Sequence, residues 1–139
     1  MFKLDHIAFS VKDLDVSLSF YALLGFQKIR GWDADDNSLR MALLQNNDNV
    51  FIELVYCKSS TPLPEHSQNY KKDLEYIGIK HIALRVKSVE KTLTYLQKKG
   101  ISKFSDISNK SVIATGKMGR KYFFVNDPDG VILEFVEDE

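Results

Sequence analysis

The sequence contains one pattern twice, and this internal repeat constrains the fold more than any other feature. Residues 4–11 are Leu-Asp-His-Ile-Ala-Phe-Ser-Val, and residues 79–86 are Ile-Lys-His-Ile-Ala-Leu-Arg-Val. A second match joins Val-Phe-Ile-Glu-Leu-Val at 50–55 to Val-Ile-Leu-Glu-Phe-Val at 131–136. The first offset is 75 residues and the second is 81. The chain is therefore predicted to fold as two copies of one module, the second carrying about six extra residues in its middle loops.

Each copy has the periodicity of a βαβββ module. Opening strands are predicted at 4–11 and 79–86, because apolar and polar side chains alternate there with a period of two. Helices are predicted at about 13–24 and 88–99, where apolar residues recur at helical spacing and a glycine follows as a left-handed stop. Three short strands then follow in each half, and the last turns are predicted at 46–49 and 127–130.

The predicted fold class is α+β, with both modules inside a single domain over residues 1–139. The modules cover about 1–56 and 79–139. Between them, the segment 57–78 contains two prolines and several charged residues, and is predicted to be a linker or a lid.

Charge and cysteine content exclude several classes of function. Lysine plus arginine total 19, as do aspartate plus glutamate, and this zero net charge argues against nucleic acid or an anionic membrane as the main partner. No apolar run is long enough to span a bilayer, and the first residues lack the pattern of a signal peptide. The single cysteine, Cys57, cannot form an internal disulfide, so a cytoplasmic location is expected.

Two histidines and two glutamates occupy equivalent positions in the two copies. His6 and His81 are predicted near the middle of the opening strands, and Glu53 and Glu134 lie in the closing strands, each within an otherwise apolar hexamer. A carboxylate there is costly to bury unless it is paired or bound to a metal. A single such histidine would be interpreted as a core residue, and a single glutamate as a solvated one. Their repetition at matched positions favours a metal site.

The period of two also sorts the neighbours of the first histidine. Ala8 and Ser10 are predicted on the face of His6, whereas Ile7, Phe9 and Val11 are predicted on the opposite face, towards the helices. If the sheets of the two modules curl and face each other, the four candidate ligands would line one apolar cavity.

Two imidazoles and two carboxylates suit a borderline divalent ion, namely Ni²⁺, Co²⁺, Zn²⁺, Mn²⁺ or Fe²⁺. A structural zinc site is not expected, since thiolate ligands are absent from the set. With octahedral geometry, four protein ligands would leave two positions for water or substrate, which is the arrangement that catalysis needs.

Four motifs extend over nearly the whole chain. They are His-Ile-Ala-Phe-Ser-Val at 6–11, Phe-Tyr-x-x-Leu-Gly-Phe at 20–26, Gly-Ile-Lys-His-Ile-Ala at 78–83 and Asn-Asp-Pro-Asp-Gly-Val-Ile-Leu-Glu-Phe at 126–135. Together they resemble the glyoxalase, or vicinal oxygen chelate, superfamily. The resemblance implies a curved mixed sheet around a metal cavity. Within the superfamily, the His-Glu-His-Glu set is similar to that of glyoxalase I (lactoylglutathione lyase).

This resemblance implies a chemistry and an assembly. In glyoxalase I the metal holds two oxygens of a hemithioacetal made from methylglyoxal and glutathione, and a glutamate at the metal moves a proton between adjacent carbons through a metal-bound enediolate. The role of base is thereby implied for Glu53 or Glu134, of which Glu134 is preferred. A homodimer is also expected, because many small family members form a site from one module of each of two chains.

Two positions depart from the bacterial glyoxalase I pattern. Ser10 replaces the arginine that binds the glutathione carboxylate, and Cys57 replaces an asparagine. The residue equivalent to Ser10 in the second module is Arg85, which is a candidate anchor for a substrate anion or else a solvated residue at a strand end. Further candidates for binding an anion are Arg40, Arg120 and Lys121.

Other branches of the superfamily remain as alternatives. Extradiol dioxygenases use two histidines and one glutamate on Fe²⁺, and fosfomycin-type thiol transferases likewise use three ligands, so a fourth ligand at Glu53 argues against both. Methylmalonyl-CoA epimerase typically has glutamine near that position. Drug-binding proteins of the bleomycin-resistance type generally lack the metal ligands, so the intact quartet argues against this alternative as well.

Overall fold

A computed structural model of the chain describes residues 1–105 and 111–139. The chain divides into two compact units, residues 1–62 and residues 63–139. Each unit contains one four-stranded mixed sheet, and each is described by itself.

The first unit follows the predicted βαβββ order. Its sheet has the strand order β1-β4-β3-β2, in which β1 pairs in parallel with β4 and the other neighbours are antiparallel. Its elements are β1 (Ile7–Val11), α1 (Leu14–Leu23), β2 (Gln27–Asp33), β3 (Leu39–Gln45) and β4 (Phe51–Cys57).

The second unit repeats this topology after a short helical segment. Its sheet has the order β5-β8-β7-β6, again with a parallel pair between its first and last strands. Its elements are a 3₁₀ helix (Glu65–Gln68), α2 (Tyr70–Asp73), β5 (Ile82–Val86), α3 (Val89–Lys98), β6 (Ala114–Thr115), β7 (Lys121–Asn126) and β8 (Ile132–Glu137). The α+β class with tandem βαβββ modules is therefore confirmed.

The repeat seen in the sequence extends to the register of the strands. Ala8 of β1 lies opposite Glu53 of β4, and Ala83 of β5 lies opposite Glu134 of β8. The two glutamates therefore occupy the same place in their respective sheets.

The two long helices agree with the prediction. The Asp13 carboxylate accepts a hydrogen bond from the amide of Val16 at the start of α1, and the Ser88 hydroxyl caps α3 in the same way. The predicted stops, Gly25 and Gly100, follow the helix ends with φ angles of 86° and 85°. No helix in the described part of the chain is long and apolar enough to cross a membrane.

The opening strands begin later than predicted, at Ile7 and Ile82 rather than at residues 4 and 79. The placement of His6 and His81 near the middle of a strand is therefore wrong, because each histidine immediately precedes its strand. The physical reason is the parallel partner strand. The ladder starts where Ile7 meets Ile52, near the first residue of β4, so the preceding residues are not paired in the ladder.

The predicted faces of β1 are confirmed. Phe9 and Val11 are buried and Ile7 is partly buried, whereas Ala8 and Ser10 are exposed. The ring of Phe9 stacks on Tyr21 of α1 with centroids 5.8 Å apart, so the apolar face packs against the helix. The opposite face, which carries His6 at its start, is left available for chemistry.

The last turn of each module has the same construction. The side chains of Asn46 and Asp127 accept hydrogen bonds from the backbone amides two and four residues further along the chain. The third residue after each is left-handed, with φ of 58° at Asn49 and 94° at Gly130. These turns were predicted at 46–49 and 127–130, and they lead into the strands that carry the glutamates.

The predicted linker, 57–78, is partly structured, since it contains the 3₁₀ helix and α2. Its central part is bound to the turn of the second sheet. The side-chain amide of Asn126 donates hydrogen bonds to the backbone oxygen of Gln68, at 2.8 Å, and to that of Gly130, at 2.9 Å. An added Cβ at Gly130 would lie 2.5 Å from the side chain of Gln68, so the glycine permits this close approach.

We expect Gly130→Ala to lower the free energy of unfolding by roughly 1–2 kcal/mol, because alanine is strained at positive φ and its methyl group would clash with Gln68. Asn49→Gly, at the equivalent turn, should cost less than about 0.5 kcal/mol. Adding Gln68→Ala to Gly130→Ala should recover part of the loss. Urea denaturation measures all four proteins, and equal stabilities for Gly130→Ala and the unchanged protein would contradict the assigned clash.

Candidate metal and acid–base site

The second unit brings one predicted histidine and one predicted glutamate into direct contact. Nε2 of His81 lies 3.0 Å from Oε2 of Glu134. The register of β8 places Glu134 beside Ala83 on one side and Phe124 of β7 on the other. The side chain of Glu134 is 17% exposed and that of His81 is 35% exposed, so both groups are partly accessible to solvent.

The spacing of this pair fits two neighbouring ligands of one metal ion. Bonds of about 2.1 Å to a nitrogen and an oxygen, separated by a right angle, place the two atoms about 3.0 Å apart. The observed distance is 3.0 Å, and both groups are of types that bind borderline divalent ions. The pair could therefore hold a metal ion with little movement.

The first unit carries the equivalent residues, His6 and Glu53, and in addition has Asp5 beside the histidine. Glu53 is partly buried and lies opposite Ala8 and Leu43. Nδ1 of His6 is 2.7 Å from Oδ2 of Asp5, a contact that leaves Nε2 of the ring as the nitrogen available to a metal. Asp5 was not among the predicted site residues, although a carboxylate next to a predicted ligand is a signal for such an orienting contact.

This contact affects the acid–base behaviour of the exposed ring. The hydrogen bond to Asp5 raises the pKa of His6 above its ordinary value, desolvation opposes this rise, and the negative charges of Glu53 and Asp5 add to it. The contact with Asp5 therefore stabilises the protonated form of the His6 ring relative to the neutral form.

The predicted ligands are thus divided between the units, with His6 and Glu53 in one and His81 and Glu134 in the other. Within residues 1–105 and 111–139, no group of three or more histidine, cysteine, aspartate or glutamate side chains could hold a metal ion. The four-ligand set remains a prediction.

An aromatic cluster that was not predicted from the sequence includes His81 of the second pair. Its centre is the buried ring of Phe124. The ring centroids of Tyr70, His81 and Tyr122 lie 4.7, 5.3 and 5.5 Å from that of Phe124. Strand alternation could have placed Tyr122 and Phe124 on one face of β7. Nothing in the sequence pattern indicated that Tyr70, from the predicted linker, would join them.

The phenol of Tyr122 is influenced by its surroundings. Burial raises the pKa of Tyr122, and the negative charges of Tyr70, when ionised, and of Glu134 raise it further. The phenol is therefore a protonated hydrogen-bond donor at neutral pH.

The candidate anion anchors are mostly engaged with acidic partners. The guanidinium of Arg85, with a side chain 69% exposed, lies 3.4 Å from the carboxylate of Asp138. Arg40 contacts Asp33 at 3.2 Å, and Lys121 contacts Glu90 at 2.7 Å.

Arg120 differs from these three cations. Its Nε donates to the carbonyl of Glu137 at 2.9 Å. Its Nη2 is buried and has no hydrogen-bond partner in the described part of the chain. The role of Arg85, or of any of these cations, as the anchor for a substrate anion remains a prediction.

The residue that replaces the expected asparagine, Cys57, ends β4 and is partly buried. Its sulfur lies 3.4 Å from the hydroxyl of Ser59, and this hydrogen bond lowers the pKa of the Cys57 thiol. Cys57 lies four residues beyond Glu53 on the same face of the strand, so the glutamate and the thiol are two side-chain repeats apart.

Comparison with known proteins gives a match over most of the chain. The sequence model of the Glyoxalase/Bleomycin resistance protein/Dioxygenase superfamily matches residues 3–135. Among solved structures, the glyoxalase family protein from Enterococcus faecalis is similar with a TM-score of 0.77 and 21% sequence identity, over 97% of each chain. At that identity the similarity concerns the fold.

Two relatives are similar in sequence. The lactoylglutathione lyase of Schizosaccharomyces pombe is 28% identical over 97% of this chain, and the chain spans only 47% of the length of that relative. The uncharacterized protein YwkD of Bacillus subtilis is 30% identical, over 95% of this chain and 94% of its own length.

We expect Asp5→Asn to lower the pKa of His6 in the metal-free protein, because the amide removes the carboxylate that stabilises the protonated ring. The His6 ring should then lose its proton at a lower pH than in the unchanged protein. NMR titration of the ring protons measures this shift directly. Identical titration midpoints in the two proteins would show that Asp5 does not control the ring.

Proposed function

The chain belongs to the Glyoxalase/Bleomycin resistance protein/Dioxygenase superfamily, and on this basis we propose that it is a metal-dependent lyase or isomerase of the glyoxalase I type. The observation that carries the proposal is the 3.0 Å contact between His81 and Glu134, together with the placement of Glu53 at the equivalent register position of the first sheet. The similarity to a lactoylglutathione lyase supports the same reaction class.

We propose that His6, Glu53, His81 and Glu134 hold one divalent ion. Neutral imidazoles and carboxylates suit Ni²⁺, Co²⁺, Zn²⁺, Mn²⁺ or Fe²⁺. When bound, such an ion supplies a Lewis acid that stabilises negative charge on substrate oxygens.

In this proposal Glu134 is the general base. Its carboxylate takes a proton from a carbon next to a substrate carbonyl, which breaks the C–H bond, and returns the proton to the adjacent carbon. Glu134 is proposed for this role because its carboxylate contacts His81 at 3.0 Å and its strand follows the Asp-Pro-Asp-Gly turn, whereas the strand of Glu53 follows an Asn-Asn-Asp-Asn turn. A base held in one position loses less entropy when the reaction geometry forms.

The first substrate to test is the hemithioacetal of methylglyoxal and glutathione. Ser10 and Cys57 depart from the pattern expected for glutathione, so hemithioacetals of other small thiols belong in the same assay. If the metal-loaded protein turned over none of these compounds, the proposed reaction class would be contradicted.

We also propose a homodimer, as the two compact units and the connection between them would allow modules of two chains to share a site. Light scattering at micromolar protein concentration should give twice the mass of the chain. A monomer with full turnover would exclude this assembly.

We expect the double variant His6→Ala, His81→Ala to lose its divalent ion, because it removes both proposed imidazole ligands. The chain offers a matched control, as its third histidine, His66, stacks on Tyr76 and is outside the proposed set. His66→Ala should retain the ion. Calorimetric titration with Ni²⁺ measures both proteins, and unchanged affinity in the double variant would refute the ligand assignment.

We expect Glu134→Gln to retain most of its metal and to lose on the order of 10²–10⁴ in turnover, since glutamine keeps a coordinating oxygen but cannot accept the proton. Glu53→Gln should lose less. Turnover is compared at matched metal occupancy, which separates proton transfer from metal loss. Equal losses, or a larger loss at Glu53, would show that Glu134 is not the base.

A further inference from the structure

Two tyrosine rings of the second unit pack on Phe124, the residue that lies opposite Glu134 in the sheet. Tyr122 and Phe124 alternate on one face of β7, and Phe124 lies directly opposite Glu134 in the antiparallel ladder. Tyr122 is therefore the diagonal neighbour of Glu134 on the same face, a position from which a long side chain reaches across the strand pair. The ring of Tyr70 packs on Phe124 at a centroid distance of 4.7 Å and brings the second phenol to this face.

Tyr70 lies in a short helical segment that is held by contacts on both sides of the residue. Before it, the backbone oxygen of Gln68 accepts a hydrogen bond from Asn126, and the side chain of Asn69 caps α2. After it, Lys80 forms an ion pair of 3.0 Å with Asp73 and also donates to the backbone carbonyl of that residue. Since His81 directly follows Lys80, the same contacts connect the helix that carries Tyr70 to the candidate ligand.

The equivalent residues of the first unit carry no phenol. An offset of 81 relates Tyr122 and Phe124 to Met41 and Leu43, and Leu43 lies opposite Glu53 just as Phe124 lies opposite Glu134. Tyr70 lies in the segment between the two modules. Of the two equivalent strand positions, the one diagonal to Glu134 carries a phenol and the one diagonal to Glu53 carries methionine.

We propose that Tyr70 and Tyr122 are substrate-binding residues whose hydroxyls donate hydrogen bonds to a substrate oxygen beside Glu134. The proposal rests on the proposed function, in which one substrate oxygen gains negative charge when the adjacent carbon loses a proton. Donors fixed at that oxygen, next to the apolar ring of Phe124, stabilise the charge more strongly than water would. The asymmetry between the units also explains why Glu134, rather than Glu53, would be the base.

The test uses acetohydroxamate, a planar compound that binds metals through two neighbouring oxygens, with the Ni²⁺-loaded full chain. Its affinity is measured by calorimetry for the unchanged protein, Tyr70→Phe, Tyr122→Phe and the control Tyr95→Phe, whose ring is 43% exposed on α3. Each of the first two substitutions should weaken binding roughly tenfold, the usual effect of losing a hydrogen bond to a charged oxygen. Tyr95→Phe should bind as the unchanged protein does.

Imidazole serves as a second probe, because it binds the metal through nitrogen and presents no oxygen to the phenols. Its affinity should be the same in all four proteins, which separates loss of the hydroxyl from damage to the metal site. If the unchanged protein binds acetohydroxamate only when loaded with Ni²⁺, and either Tyr70→Phe or Tyr122→Phe leaves that affinity unaltered, the two-donor arrangement is overturned while the proposed function stands. Absence of Ni²⁺-dependent binding in the unchanged protein would overturn both.

Discussion

The parallel pairing of the first and last strands of each module is the constraint on which the rest of the structure depends. It joins residues 45 positions apart in the first module, where Ile7 pairs with Ile52, and 51 positions apart in the second, where Ile82 pairs with Leu133. Each pairing brings a histidine that precedes the first strand near a glutamate in the last. The helix between them covers the opposite face of the sheet, so the chemical face remains partly open. A shift of one residue in either ladder would turn the glutamate towards the apolar core.

The two modules carry equivalent pairs of candidate ligands, and the residues around the two pairs differ. Lys80 replaces Asp5 beside the histidine, so the first ring has a carboxylate partner while the second contacts Glu134 directly. Tyr122 replaces Met41 on the strand next to the glutamate. These exchanges leave the backbone register intact and change only which groups can donate or accept a proton. The second unit thereby becomes the better candidate for proton transfer.

The segment that precedes the second module contributes to this asymmetry. At one end, the side chain of Asn126 donates a hydrogen bond to the backbone oxygen of Gln68. At the other end, Lys80 contacts both the backbone oxygen and the buried carboxylate of Asp73. The turn after β7 therefore has two functions, since it leads into the strand of Glu134 and also binds the segment that carries Tyr70. The segment between the two modules therefore contributes Tyr70 to the candidate site of the second unit.

The sequence alone was sufficient to determine the α+β class, the tandem modules, both long helices, the last turns and the faces of β1, because periodicity and turn residues act over a few neighbouring positions. It also indicated the four ligand candidates, since the same unusual residues occur twice. Only the tertiary structure decided that the histidines precede their strands, that His81 contacts Glu134, and that Tyr70 and Tyr122 converge on Phe124. Those features depend on where a strand's partner begins and on which distant segments pack together, and such contacts leave no periodic signal in one chain.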